Sequence, residues 1–311
     1  MIYIIGAGFM AKEYSRVLLS LNEPFLVIGR GQASCEKLTS ELGIRTVSGG
    51  LTKFLDESNI VPDAAIVCTP VETLADVTLE LIEFGVKKIL IEKPGALSIE
   101  DLKQIKLRSE RSNAAVLIGY NRRFYQATLA LKERLKNEVL IAANFEMTEW
   151  AHVVVSESCT SEVKQKWVLA NTSHVIDLVI HIAGEFKQLS TYTSGSLSWH
   201  DKSSRFVGSG ISSNGILISY CGYWDGPGRW SAEFVTTQNR YIFRPMEKLQ
   251  VQKLGSVSVE VDETIDYSLD QQFKPGLYKQ TSLFLSNEIQ NFCSLDEQIL
   301  NFATFNNIAD Y

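Results

Sequence analysis

The residues best placed to do chemistry in this 311-residue chain lie where a short apolar run ends in two charges. Residues 88–95 read KILIEKPG. A run rich in branched residues is typical of a strand buried in a parallel sheet, and Pro94 must end it because proline has no N–H for the ladder. The pattern therefore predicts Glu92 and Lys93 at the carboxyl end of a central strand, the edge at which open α/β sheets bind ligands. Two ordinary charges in a solvated loop are the alternative interpretation.

A second set of reactive side chains lies on one face of an apolar helix predicted to end at Gly184. His174, Asp177 and His181 stand at positions i, i+3 and i+7. Imidazole titrates near neutral pH, so His174 is suited to exchanging a proton. Three such ligands could hold a metal ion, but no fourth ligand is evident, and no metal site is predicted. A hydrogen-bonded histidine at a helix start, with Asp177 orienting it, is the structural alternative.

A glycine-rich turn at the start of the numbering predicts a dinucleotide site. Met1–Ile5 has the pattern of a strand and runs into GAGFMA, residues 6–11, and then into an amphipathic helix. This is the G-x-G-x-x-G/A arrangement in its strand–turn–helix context. The turn needs Gly6, a pyrophosphate approaches the backbone at Gly8, and Ala11 permits close packing. The helix start at Phe9-Met10 then offers N–H groups to the phosphates.

The end of the second predicted strand, Phe25–Ile28, bears on the choice of dinucleotide. The chain continues as Gly29-Arg30, with no carboxylate between Glu23 and Glu36. An acid at this point binds the ribose 2′-hydroxyl of NAD, whereas an arginine accommodates the 2′-phosphate of NADP. The sequence therefore favours NADP(H), with Gly29 and Arg30 in the cofactor site. The alternative for Arg30 is an ordinary surface charge.

The elements that must position these residues change character near residue 120. Strand and helix patterns alternate up to there, which predicts an α/β Rossmann domain, a doubly wound parallel sheet, over residues 1–120. Strand patterns then recur between residues 139 and 254, and a helix is predicted over Leu277–Phe292. Residues 121–311 are therefore predicted to form an α+β domain with a large, mostly antiparallel open sheet.

One turn in that second domain has a composition of its own. Residues 224–230 read WDGPGRW and are predicted to join two neighbouring strands as a hairpin. Its aromatic rings could stack on a sugar or a base while Arg229 binds phosphate. A plain hairpin with packed tryptophan rings is the alternative.

Bulk properties exclude several classes of partner. The net charge of -6 argues against a nucleic-acid or anionic-membrane surface. The five cysteines are scattered and include no C-x-x-C pair, which suits a reducing cytoplasm. Neither a signal peptide nor an apolar run long enough to cross a bilayer is evident. We therefore expect a cytoplasmic protein with a small-molecule partner, no nucleic acid and no membrane.

Four short motifs carry a family resemblance. GAGFMA, CTP at residues 68–70, EKP at residues 92–94 and NRRF at residues 121–124, in this order and spacing, resemble the Gfo/Idh/MocA oxidoreductases. The resemblance implies an N-terminal NAD(P)-binding Rossmann domain and a C-terminal α+β domain whose open sheet makes homodimer or higher oligomer contacts. It also implies that further residues line the cofactor: Thr69, Pro70, Glu92, Lys93 and Asn121.

The helix near residue 174 resembles another motif of that family, in which a histidine followed three residues later by an aspartate lies beside the nicotinamide and the substrate. His174 and Asp177 match this pair, whereas His181 stands where the family usually has an apolar or aromatic residue. Ala170 departs from the pattern, because many members have an acid there. Leu74 stands where many have histidine, so no role is carried over to it.

The expected function is NADP(H)-dependent hydride transfer to or from a carbon of a sugar or nucleotide sugar. Lys93 would hydrogen-bond the reacting oxygen and His174 would exchange its proton, with Asp177 supporting it. Residues 222–230 and 260–268 resemble a subgroup found among bacterial surface-polysaccharide sugar genes, which implies the substrate class. Two alternatives stay open: a non-catalytic NADP(H)-binding sensor or scaffold, and a redox-assisted glycosidase with tightly bound cofactor.

Overall fold

The computed structural model describes residues 1–311 and begins with alternating strands and helices. The order is β1 (Ile2–Ile5), α1 (Phe9–Ser20), β2 (Phe25–Ile28), α2 (Gln32–Leu42), β3 (Thr46–Val47), α3 (Leu51–Glu57), β4 (Ala64–Val67), α4 (Leu74–Glu83), β5 (Lys88–Glu92), α5 (Ile99–Ser112) and β6 (Ala115–Gly119). Ser98 caps α5, because its Oγ accepts a hydrogen bond of 3.1 Å from the Asp101 N–H.

The remainder of the chain is mostly strands flanked by short helices. The order is α6 (Gln126–Arg134), β7 (Leu140–Glu146), α7 (Ala151–Val154), α8 (Ser161–Gln165), α9 (Ser173–Ala183), β8 (Phe186–Ser194), β9 (Arg205–Ser212), β10 (Leu217–Tyr223), β11 (Ser231–Thr236), β12 (Asn239–Phe243), β13 (Gln250–Lys253), β14 (Glu260–Val261), α10 (Ser268–Gln272), α11 (Leu277–Ser286), β15 (Cys293–Ser294) and α12 (Leu295–Ala309). None of these helices combines the length and the apolar character needed to cross a membrane.

The first sheet has seven strands in the order β15-β6-β5-β4-β1-β2-β3. All neighbours pair in parallel except β15, which runs antiparallel to β6. Because β1, β4 and the centre of β5 are covered on both faces, their side chains are buried, as the continuous apolar runs predict. Glu92 and Lys93 lie at the carboxyl end of β5, near the middle of this sheet.

The second sheet has eight strands in the order β14-β13-β12-β11-β7-β10-β9-β8. The only parallel pair is β7 with β10, and α9 packs against β7 and β11. The sheet is therefore mostly antiparallel, and together with the parallel first sheet it confirms the predicted fold class. In β10, Ile218 and Tyr220 are buried and Ser219 is exposed, the alternation of a strand with one buried face.

The prediction of a hairpin at residues 224–230 is wrong. β10 and β11 are not neighbours, because β7 lies between them and pairs with both. The segment therefore crosses the end of β7 instead of turning back on its own strand. A local turn signal such as Asp-Gly or Pro-Gly shows that the chain reverses, but it does not show which strand it joins.

The chain divides into two compact units, and neither is a continuous segment. One contains Met1–Asn121 and Gln272–Ile299, and the other contains Arg122–Gln271 and Leu300–Tyr311. α11 packs against α1, and β15 extends the first sheet at β6, which is why a late segment belongs to the first unit. A single division at residue 120 does not describe this return of the chain.

Candidate active site

The turn between β1 and α1 is shaped for close approach of a ligand. Gly6 has φ +116°, and a Cβ there would lie 2.7 Å from the carbonyl oxygen of Cys68, so the turn excludes any larger residue. A Cβ at Gly8 would meet nothing within 4 Å, which leaves open space over the start of α1. No side chain caps this helix start. Its first N–H groups and the partial positive charge of the helix therefore point to an anion such as a pyrophosphate.

This turn opens into a cleft of about 780 Å³ within the first unit. Most of the predicted cofactor residues line it: Gly6, Gly8, Phe9, Met10, Arg30, Thr69 and Pro70. The buried Thr69 Oγ1 has no hydrogen-bond partner in the structure, as expected for a group that awaits a ligand. Ser34, at the start of α2, lines the cleft beside Arg30 and was not predicted.

The other predicted cofactor residues lie around this cleft. Ala11 is fully buried under the turn. Gly29 packs so closely that a Cβ would lie 2.5 Å from Cys35 Sγ and 2.7 Å from the Ala7 Cβ. Asn121, at the end of β6, donates a hydrogen bond of 2.9 Å from Nδ2 to the Pro275 carbonyl. These residues shape the backbone that surrounds the cleft.

Glu92 is held in a hydrogen-bonded chain inside the first unit. Tyr14 on α1 donates from its hydroxyl to Glu92 Oε1 at 2.9 Å, and Gln280 on α11 donates to the Tyr14 hydroxyl at 3.1 Å. Burial raises the pKa of Glu92, while the neighbouring Lys93 ammonium opposes this shift. The Pro94 carbonyl accepts a further hydrogen bond of 2.9 Å from Gln298. These contacts fix the backbone on both sides of Lys93.

In the second unit, a π-helical turn over Val168–Thr172 leads into α9. It presents Asn171 Nδ2 and Thr172 Oγ1 to one carboxylate oxygen, Oε1 of Glu149, at 3.0 and 2.7 Å. Glu149 is buried, lies just beyond β7 and was not predicted as a site residue. Position 170 in this turn is an alanine, and Glu149 brings a carboxylate to the turn from a distant element. Only the fold could reveal that pairing.

His174 lies at the start of α9 beside an indole ring. The centroid of its imidazole is 6.2 Å from that of Trp230, and the histidine is buried. Asp177, one turn further along, accepts from Arg123 through both carboxylate oxygens, at 2.9 Å from Nε and 2.5 Å from Nη2. Both partners are almost completely buried. Asp177 therefore anchors α9 to the segment that precedes α6.

His181, the third residue predicted on this face of α9, also lies next to a cation. The Nε2 atom of His181 lies 2.9 Å from Lys132 Nζ and accepts its hydrogen bond when the lysine is charged. Burial, followed by the charges of Arg123 and Lys132, lowers the pKa of His181 to about 2. A metal ion on this face would meet the positive charges that already hold Asp177 and His181. The arrangement disfavours the three-ligand alternative.

A family model described as "Oxidoreductase family, NAD-binding Rossmann fold" matches residues 1–120. A curated relative, scyllo-inositol 2-dehydrogenase (NAD(+)) of Bacillus subtilis strain 168, is 33% identical over 100 residues, which are 32% of this chain and 28% of that protein. The chain covers 28% to 53% of the curated relatives it matches.

Solved structures match over nearly the whole chain. A levoglucosan dehydrogenase in complex with NADH has a TM-score of 0.79 at 15% identity, covering 99% of this chain and 95% of that one. A UDP-N-acetylglucosamine 3-dehydrogenase from Acidithiobacillus ferrooxidans has a TM-score of 0.77 at 15% identity, covering 98% and 94%. At this identity the likeness establishes the fold: a Rossmann domain followed by a domain with a large, mostly antiparallel sheet.

Proposed function

Since the chain belongs to the Gfo/Idh/MocA oxidoreductases through its first 120 residues, we propose that it is an NADP(H)-dependent enzyme that transfers a hydride to or from a carbon of a sugar or nucleotide sugar. The observation that carries this proposal is the open cleft at the glycine turn, where a ligand has room above Gly8 and the Thr69 hydroxyl lacks a partner. The nicotinamide dinucleotide would supply the hydride chemistry when bound.

The protein's own residues would bind, orient and move the proton. The first turn of α1 would hold the pyrophosphate, and Lys93 would hydrogen-bond the reacting oxygen and stabilise its developing charge. His174 would exchange the proton of that oxygen. Asp177, tied to Arg123, would fix the orientation of the helix that carries His174. Its role is therefore one of positioning.

The preference for NADP(H) is supported by the charge at the end of β2. Arg30 is exposed and lines the cleft with Ser34, and no carboxylate follows β2 until Glu36. A guanidinium and a hydroxyl suit a 2′-phosphate, whereas a 2′-hydroxyl is usually bound by an acid. Because one relative is named for NAD(+) and a structural neighbour is in complex with NADH, the proposed preference rests on Arg30 and Ser34 of this chain.

Two further proposals concern the molecule as a whole. Apolar side chains along the outer face of the second sheet are exposed, among them Val207, Leu217 and Tyr223, and a second copy of the chain would cover them in a homodimer. The five cysteines are present as thiols and not as disulfides, which fits a reducing cytoplasm.

The proposed activity is tested by separating turnover from cofactor binding. Nicotinamide absorbance is followed with a panel of keto and hydroxy sugars and nucleotide sugars, and dinucleotide dissociation constants are measured by titration. We expect NADPH to bind more tightly than NADH, and Arg30→Ala to reduce that preference. His174→Ala should lower turnover by about 10²–10⁴-fold with little change in NADPH affinity, because the phosphates are held in the first unit. Lys93→Met should lower both turnover and NADPH affinity.

Three outcomes would contradict the proposal. Equal dissociation constants of the wild type for NADPH and NADH would remove the NADP(H) assignment. Full activity of His174→Ala on a substrate that the wild type accepts would remove the catalytic role of His174. A sugar that binds and changes the assembly state, with no turnover of any panel member, would favour an NADP(H)-binding sensor instead.

A further inference from the structure

Two arginine side chains lie over the same tryptophan ring in the second unit. The guanidinium carbon of Arg122 is 4.7 Å from the centroid of Trp230, and that of Arg229 is 5.0 Å from it. Arg229 also lies 4.7 Å from the ring centroid of Trp150. Because the centroid of the His174 imidazole is 6.2 Å from that of Trp230, this cationic cluster adjoins the residue proposed to exchange the proton.

The two guanidinium groups are paired with carboxylates less closely than other arginines of the second unit. Arg122 forms no ion pair and no side-chain hydrogen bond, and the nearest acid to Arg229 is Glu149, whose Oε2 is 3.7 Å away. By contrast, Arg205 has a carboxylate oxygen at 2.7 Å and Arg244 has one at 2.8 Å. Two like charges near one ring repel each other, and a single distant carboxylate does not offset both.

Hydrogen-bond donors in the cluster are also unsatisfied. Trp230 is only 4% exposed, yet its Nε1–H has no acceptor, and the buried Nε–H of Arg122 has none either. A buried donor without a partner is costly, and nearly all such groups in proteins are satisfied. The cluster therefore lacks acceptor oxygens as well as negative charge.

From these observations we propose that Arg122, Arg229 and Trp230 bind a phosphoryl group of the sugar substrate beside His174. A phosphoryl group supplies several acceptor oxygens, enough for two guanidinium groups, whereas the two oxygens of a carboxylate are matched by one. The exposed part of Trp150 offers an apolar surface to the attached sugar or base. The assignment rests on the proposed function and narrows its substrate to a phosphorylated sugar or a nucleotide sugar.

The test compares sugars that differ only in the phosphoryl group. Dissociation constants are measured by calorimetry, with the protein saturated with NADPH, for glucose 6-phosphate against glucose and for UDP-N-acetylglucosamine against N-acetylglucosamine. We expect at least one phosphorylated compound to bind tenfold or more tightly than its neutral partner, and the pair that shows this identifies a phosphate ester or a diphosphate as the source. Arg229→Gln and Arg122→Gln should each weaken the binding of that compound about tenfold or more and leave the affinity for its neutral partner unchanged.

Arg108 provides the matched control. Its side chain is 49% exposed and lies 3.7 Å from Glu83, whereas Arg229 is 50% exposed and lies 3.7 Å from Glu149. Arg108→Gln should therefore keep the wild-type discrimination. Added salt should weaken the binding of the phosphorylated compound and leave that of the neutral compound unchanged.

Three results would overturn the phosphoryl subsite: equal affinity for both members of each pair, no measurable binding of either phosphorylated compound, or discrimination that survives in both arginine variants. Discrimination with no hydride transfer to or from any substrate would support the subsite and count against the proposed activity. The two proposals are thus tested separately.

Discussion

At the scale of single residues, α9 shows how much of a site depends on partners that the sequence does not identify. The spacing of His174 and Asp177 predicts a shared helix face, and both lie there. Their partners come from elsewhere: Arg123 pairs with Asp177, and the Trp230 ring lies tilted beside His174. Periodicity reports which face a residue occupies, whereas a pairing across 50 residues depends on tertiary structure. The arginines of the NRRF stretch and Glu149 were therefore missed as site residues.

His181 makes a prediction about pH at this scale. Its pKa is lowered to about 2 in the folded protein, mainly by burial, whereas the unfolded chain titrates near 6.5. Between these two pKa values the unfolded chain binds a proton that the folded protein does not. The contribution of neutral His181 to the free energy of unfolding is therefore fully present above about pH 6.5 and is lost as the pH falls. The loss is up to about 1.4 kcal/mol per pH unit. We expect urea unfolding to show this decline between about pH 7.5 and pH 5.

The matching variant is His181→Gln, which keeps an acceptor for Lys132 and does not titrate. It should flatten the dependence of the unfolding free energy on pH. His152→Gln, at an exposed histidine on α7, serves as the control and should retain the wild-type slope. If His181→Gln has that slope as well, the titrating group lies elsewhere.

At the scale of elements, the π-helical turn that leads into α9 is held by Tyr311, the last residue of the second unit. The Tyr311 hydroxyl accepts a hydrogen bond of 3.1 Å from the Val168 N–H, at the beginning of the π-helical turn. The same hydroxyl lies 2.9 Å from Nε2 of His200. Burial raises the pKa of Tyr311, so the group stays neutral and can serve both contacts. This arrangement ties the turn that carries Asn171 and Thr172 to His200, whose ring centroid lies 4.9 Å from that of Trp224.

We expect Tyr311→Phe to displace this turn and lower kcat by several-fold while leaving NADPH affinity unchanged, because it orphans the Val168 N–H at a stability cost of about 1–3 kcal/mol. The control is Tyr278→Phe on α11, whose hydroxyl makes no hydrogen bond in the structure. Steady-state kinetics and dinucleotide titration provide the readouts. A variant that loses stability but keeps kcat would assign Tyr311 a structural role only.

The element boundaries show where sequence patterns stop being informative. The helix predicted over Leu277–Phe292 ends at Ser286, because Asn287 adopts a left-handed conformation, and a separate helix, α12, follows. β9 has a weak strand pattern, since Gly208, Ser209 and Gly210 at its centre are typical of a loop. The first sheet was predicted well because buried parallel strands leave unbroken apolar runs. Half-buried strands have a weaker hydrophobic pattern in the sequence, and the order of the strands in the sheet has no local sequence pattern at all.

At the scale of the whole molecule, the proposed homodimer can be tested on the exposed sheet face. Leu217 on β10 is 59% exposed, and a charge there would oppose burial against a second copy. We expect light scattering to give a dimer mass for the wild type at micromolar concentration and Leu217→Glu to shift it towards the monomer. Ile60→Glu is the matched control, at a residue 60% exposed in the first unit. A wild-type monomer, or a dimer unaffected by Leu217→Glu, would contradict this interface.

The discontinuity of both units has a consequence for synthesis. The first unit needs α11 and β15, the second needs residues up to Tyr311, and the centre of the second sheet needs β11 to reach β7. A ribosome delivers the residues after 271 last, so a nascent chain ending there would leave β6 as an unpaired edge of the first sheet and both units without their last helical segments. Such chains expose surface that chaperones bind, and their sheets mature late because the pairings are distant in sequence. We therefore expect truncated chains to aggregate where the full chain folds.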